Sequence, residues 1–267
     1  MTLSPIRDHL ILPAVLATVL IGCAPRPAAR QQVTIAAAAD LQFALDDILG
    51  DFRRSHPTAD LRIVYGSSGN FYTQIRNHAP FDVFLSADVD YPRRLIREGF
   101  AAPESLFLYG VGRIVVWAPA GSPLDVPHLG MSALEAPSVR HIAIANPEHA
   151  PYGRAAAAAM KSLGVYDRVS GKLVLGENIA QTLQFVQSGS AEVGIVALSL
   201  VLAPAVRDRG RYWEVPLAAY PAIEQGGAIL TRARHSWLAL DLRAYLTGPA
   251  CRDRLKQFGF SLPQDNH

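Results

Sequence analysis

Residues 33–52 read VTIAAAADLQFALDDILGDF, and this stretch decides the fold class. Val33 to Ala39 is a short apolar run, which suits a strand buried on both faces. Leu41, Ala44, Leu45, Ile48, Leu49 and Phe52 then recur at i, i+3, i+4, i+7, i+8 and i+11. That spacing is one face of an amphipathic helix. His56-Pro57 stops the helix, because proline restricts the residue before it. A buried strand that feeds an amphipathic helix is the building unit of an α/β fold.

The same alternation continues towards the C-terminus. Leu61, Ile63 and Tyr65 alternate as a strand, and Gly66-Ser67-Ser68-Gly69 follows as a turn. Val83 to Leu85 reads as a strand and Tyr91 to Glu98 as a helix. Arg113 to Ala118 and His141 to Ala145 read as strands, and Arg154 to Leu163 as an alanine-rich helix. A strand over 172–175, a helix over 179–187 and a strand over 193–196 come next. Ala228 to Leu230 is a further strand. Two helices, 237–245 and 250–258, flank Gly248-Pro249. Strands that alternate with helices imply a mainly parallel sheet covered on both faces.

Towards the N-terminus the composition changes. Arg7 precedes Leu10 to Gly22, an uncharged and mostly apolar stretch. It is shorter than the roughly 20 apolar residues a membrane span needs, and it suits the apolar region of a secretory signal, residues 1–22. The stretch ends Leu20-Ile21-Gly22-Cys23, which resembles the lipobox of bacterial lipoproteins, where the cysteine is acylated. Ordinary secretion with an incidental Cys23 is the other reading. Residues 23–32 then form a polar, proline-containing tether. The chain has two cysteines. With Cys23 lipidated, Cys251 stands alone and no disulfide forms. Its neighbours Leu255 and Phe258 make it a small buried hydrophobe. The formal net charge is +2 without a run of Lys or Arg, which argues against a nucleic-acid partner.

In open α/β sheets, ligands sit beyond the carboxyl ends of strands, at helix N-termini. Five junctions qualify. They are Ala38-Ala39-Asp40-Leu41, Gly66-Ser67-Ser68-Gly69-Asn70, His149-Ala150-Pro151-Tyr152-Gly153, Gly176-Glu177-Asn178-Ile179 and Val196-Ala197-Leu198-Ser199. A helix start carries unpaired N–H groups and a partial positive charge, so it holds an anion without Lys or Arg. Ser67 and Ser68 add hydroxyls. Taken singly, each junction also reads as ordinary capping. Asp40 and Asn178 are expected as N-caps, since an Asp40 carboxylate would repel an anion.

The ordered motifs resemble those of the periplasmic molybdate-binding proteins of ABC transporters. The residues that carry the resemblance include Ala36 to Leu41, Tyr65 to Gly69 and Phe81-Asp82-Val83-Phe84-Leu85-Ser86-Ala87-Asp88. Asn146-Pro147-Glu148-His149-Ala150-Pro151-Tyr152-Gly153, Gly176 to Ile179, Val193 to Ala197, and Gly248-Pro249 before Phe258-Gly259-Phe260 complete the set. The resemblance implies a two-lobed periplasmic-binding-protein fold, with lobe I at 33–116 and 215–267 and lobe II at 117–214. It implies capture of molybdate or tungstate, no cofactor, no enzymatic activity, an ABC permease as partner, and a monomer on the periplasmic side of a bacterial membrane. The implied contacts fall at Ala39 or Asp40, at Ser68, at the backbone N–H groups of Tyr152 and Ile179, and at the position of Ala197. Relatives often place a serine in the first junction and some a tyrosine at Ala197, so two hydroxyl donors are lost here. Sulfate, phosphate or a ferric complex are the alternative cargoes. A hydrolase built on Ser68, His149 and Asp82 is the enzymatic alternative, although no Gly-x-Ser-x-Gly elbow is present.

Overall fold

The opening run folds as a strand, one tight turn and a helix. In the computed structural model, which describes residues 1–2 and 31–262, β1 spans Gln31–Ala38. A 3-10 turn takes Ala39–Leu41, and α1 spans Gln42–Ser55. The expected leader beyond its second residue, Cys23 and the expected tether up to residue 30 lie outside the described residues. The stripe on α1 is buried as its periodicity requires: Ala44, Leu45, Ile48, Leu49 and Phe52 all face the core. Each fully buried large side chain of this kind contributes about 1.5–3 kcal/mol. The alanines of β1 serve a different end. Ala37 packs with Leu45 and Leu85 on one face, and Ala36 packs with Phe71 and Phe84 on the other. Small residues in a central strand let helices approach from both sides.

Two sheets follow. The first has the order β2-β1-β3-β10-β4, where β2 is Ala59–Gly66, β3 Val83–Ser86, β4 Phe107–Gly112 and β10 Ile223–Ile229. The second has the order β7-β6-β8-β5-β9. There β5 is Ile114–Pro119, β6 Ile142–Ala145, β7 Leu173–Gly176, β8 Val193–Ala197 and β9 Gly210–Glu214. The longer helices are α2 (Ser68–Arg76), α3 (Asp90–Arg97), α5 (Pro151–Ser162), α7 (Ile179–Gln187), α9 (Trp237–Leu246) and α10 (Pro249–Gln257). Single turns form α4 (Val126–Leu129), α6 (Tyr166–Val169) and α8 (Leu198–Val201). No helix among the described residues is long and apolar enough to cross a membrane.

The α/β class holds, and each sheet is mixed, with four strands that share one direction and one that is reversed. In the first, β1 pairs in parallel with β2 and β3, while β10 runs antiparallel to β3 and β4. In the second, β6 pairs in parallel with β7 and β8, while β5 runs antiparallel to β8 and β9. The reversed strands are those that carry the chain between sheets. They arrive without the crossover helix that a parallel neighbour needs. Only Arg113 separates β4 from β5, so residues 114–116 belong to the second sheet. The return runs from Glu214 to Ile223. Edge strands β4 and β9 escape the periodicity reading, because Gly110 and Gly112 interrupt one and the other is half-exposed and polar. Cys251 is buried beside Leu255 and Phe258, and burial pushes its thiol up to about 12.

Candidate anion site

Four of the five junctions converge between the two sheets. The end of β1 with its 3-10 turn, the β2–α2 junction, the start of α5 and the start of α7 line one small cavity in the cleft. Its walls include Ala39, Asp40, Ser68, Ala87, Tyr152 and Ile179, and none of its residues is Lys or Arg. Ala197 is not among the walls. It ends β8 opposite Ile114, fully buried. Its junction contributes Ser199 instead, whose hydroxyl donates to the Asp40 carbonyl at 2.8 Å.

Each helix start brings donors that its own helix cannot use. Ser68, Tyr152 and Ile179 lie in the first turns of α2, α5 and α7, where N–H groups have no intrahelical acceptor. Capping takes care of other groups. The Asn178 side chain accepts from Ala180 and Gln181 N–H, both at 3.0 Å, as expected of an N-cap. Ser67 accepts from Asn70 N–H at 3.4 Å, and its Oγ lies 2.9 Å from His149 Nδ1. Two of the three hydrogen-bonding positions of Ser67 are thus taken by protein. Ser68 differs. Its fully buried Oγ accepts from Ala87 N–H at 2.9 Å, which leaves the hydroxyl proton to donate. Ala39 offers its N–H alone.

Asp40 is not the N-cap that local reasoning predicts. No side-chain cap is made at its turn. The carboxylate is buried and accepts the Tyr152 hydroxyl at 2.8 Å and Gln225 Nε2 at 2.6 Å. Gln225 Nε2 also lies 3.0 Å from the Tyr152 oxygen. Donors from the other lobe and from β10 displace the local N–H groups. Burial raises the Asp40 acid to about 6, against the pull of these two hydrogen bonds and of its own backbone N–H. Burial also pushes the Tyr152 phenol well above its ordinary range, so it stays protonated. Its hydroxyl is committed to Asp40, and the N–H is what Tyr152 has left for a ligand.

Further contacts hold the two walls together. Gly69 N–H donates to the His149 carbonyl at 2.9 Å. A Cβ on Gly69 would stand 2.6 Å from that oxygen, so only glycine permits this approach. At the rim, Asn70 Nδ2 donates to Glu177 Oε1 at 3.1 Å, and Arg154 pairs with Asp88 at 2.5 Å. Ser68, His149 and Asp82 do not form a nucleophilic set. Ser68 bonds Ala87, His149 faces Ser67, and Asp82 accepts Thr34 N–H and pairs with Arg232. One participant escaped the sequence reading, Gln225, while Ser199 was included only as the end of the fifth junction. The strand Ile223–Ile229 carries two adjacent polar residues, Glu224 and Gln225, so its sequence alone does not single out Gln225.

Two mixed sheets, joined by crossings and closing on a small donor-lined cavity, define a two-lobed binding receptor. The chain belongs to the bacterial extracellular solute-binding proteins, whose family model matches residues 33–261. It is 38% identical over 244 residues to the molybdate-binding protein ModA of Azotobacter vinelandii, covering 91% of this chain and 94% of that one. It is 36% identical over 234 residues to ModA of Rhodobacter capsulatus, covering 88% and 90%. The solved structure of the Azotobacter vinelandii periplasmic molybdate-binding protein superposes with a TM-score of 0.81 at 32% identity, over 87% of this chain and all of that one.

Proposed function

We infer that this protein is the extracytoplasmic receptor that captures molybdate and delivers it to an ABC transporter permease. The observation that carries the reading is the cation-free cavity at converging helix starts, in a chain similar to molybdate-binding proteins along most of its length. The N–H groups of Ala39, Tyr152 and Ile179 and the hydroxyl of Ser68 donate to the oxo groups of the anion. No side chain touches the metal. Such a set of fixed donors favours a fully deprotonated tetrahedral anion, because a ligand proton would face a donor. Tungstate has the same shape and charge and occupies the same site. The cargo moves between open and closed lobes, and opening breaks the contacts of Gly69, Asn70 and Arg154 across the cleft. The receptor acts as a monomer held at the membrane by lipid on Cys23.

Thermal unfolding of the purified protein with molybdate, tungstate, sulfate, phosphate and ferric citrate in turn tests the reading. A ligand at 100 times its dissociation constant adds about 2.7 kcal/mol. Molybdate and tungstate are expected to raise the midpoint. A shift with sulfate, phosphate or ferric citrate alone would replace the cargo.

A further inference from the structure

The unmatched polar chemistry at the cavity concentrates on Asp40. This residue lines the cavity and is 1% exposed. Both donors that reach its carboxyl group from other side chains end on Oδ2. Among the described residues, Oδ1 has no hydrogen-bond partner. The other polar groups offered to the anion are donors, namely backbone N–H groups and the Ser68 hydroxyl. A tetrahedral dianion presents only acceptors. An ionised carboxylate would set its charge against the ligand in a buried site where no cation screens either one.

We propose that Asp40 binds molybdate as the neutral acid, with a proton on Oδ1 that is donated to one oxo group of the anion. The proposal rests on the molybdate reading above and adds a donor to it. Oδ2 keeps the Tyr152 and Gln225 hydrogen bonds, and Oδ1 joins the other donors. The proton comes from solvent: carboxylate, proton and dianion combine on closure and separate on opening. Desolvation already raises the acid to about 6 without the anion. A nearby negative charge raises it further.

The groups around the carboxyl leave the titration to Asp40. They are Tyr152 from α5, Tyr109 from β4, Gln225 from β10 and Ser199 from α8. Burial keeps both phenols neutral, and glutamine and serine do not titrate. Among the described residues no cation pairs with Asp40. His149 stands outside this shell, bonded to Ser67, and is unchanged in the variant below. Above about pH 7, binding then takes up about one proton per anion, and the dissociation constant rises up to about tenfold per pH unit.

Calorimetric titration of the full chain with sodium molybdate at about pH 8, in two buffers of unlike ionisation heat, counts that proton. Wild type is expected to take up about one proton at pH 8 and almost none at about pH 5. Asp40→Asn keeps an acceptor for Tyr152 and Gln225 and supplies a permanent N–H donor. It is expected to bind without proton uptake, with an affinity flat in pH and at least as tight at pH 8. Molybdate binding by wild type without proton uptake at pH 8 overturns the proposal, and that comparison decides even if the variant does not fold. An equal pH slope in Asp40→Asn assigns the proton elsewhere and overturns it too. Tighter binding of hydrogen phosphate than of molybdate would mean that an ionised Asp40 accepts a ligand proton, the reverse of the proposal. Folded protein that binds no molybdate at any pH sinks the molybdate reading itself, and the proposal with it.

Discussion

The two lobes meet along an inner and an outer seam, and the two are built from different chemistry. The inner seam joins Asp40, Tyr152 and Gln225, none more than 2% exposed. It lies beside the chain crossing: a Cβ on Gly112, one residue before Arg113, would stand 2.1 Å from the Tyr152 hydroxyl. The outer seam consists of Asn70 with Glu177 and Arg154 with Asp88. There the Arg154 and Asp88 side chains are 40% and 28% exposed. Water competes for the outer contacts, so a pair of this kind is worth about 0–1 kcal/mol. Water does not reach the inner one, so a group left unpaired there costs about 1–3 kcal/mol or more. The inner seam sets the geometry of the site. The outer seam adds contacts across the rim of the cleft.

The largest test of this contrast is the pH dependence of stability at Asp40. Its acid is raised from 3.8 to about 6 in the folded chain. The folded state therefore holds the proton more tightly than the unfolded state. Its contribution is full below about pH 4 and is lost as pH rises through about 6. A shift of this size corresponds to about 3 kcal/mol. Urea unfolding of wild type and Asp40→Asn is expected to show the variant gaining on wild type by up to about 3 kcal/mol as pH rises from about 4 to about 8. A constant gap would mean that water reaches the inner seam.

Ser68→Ala comes next. Loss of a hydrogen bond to a charged partner costs about 1.5–3 kcal/mol, so molybdate affinity is expected to fall roughly 10- to 150-fold by calorimetry. Unchanged affinity would remove Ser68 from the site. The smallest effect belongs to the rim. Arg154→Ala is expected to weaken binding by less than about 1 kcal/mol, and less still at high salt. A loss as large as that of Ser68→Ala would erase the distinction between the seams.

Much of this molecule is written locally. The apolar period from Leu41 to Phe52, stopped at His56-Pro57, gives α1, and the helix expected over 179–187 forms between those residues. Asn178 caps that helix as its residue type and position suggest. The junctions at Ala39, Ser68, Tyr152 and Ile179 are legible in the sequence, because helix starts after strand ends are visible as pattern. Ala197 was a candidate on the same logic, yet it lies outside the cavity walls. A junction pattern states that a helix begins, not which way its N–H groups point. Asp40 failed as an N-cap for a related reason. A capping rule weighs only the next turn, whereas this carboxylate met donors in remote segments.

The sequence by itself determined the α/β class, the main elements and four helix starts that share one cavity. These follow from periodicity, capping and turn chemistry, which act over a few residues. The tertiary structure alone decided the antiparallel strands at the crossings and the partners of Asp40. It also decided which junction was left out. Tyr152 and Gln225 stand 112 and 185 residues from Asp40 along the chain. No local rule spans such a distance. Packing of one lobe against the other is what brings a carboxyl, a phenol and an amide together in a place that water does not reach.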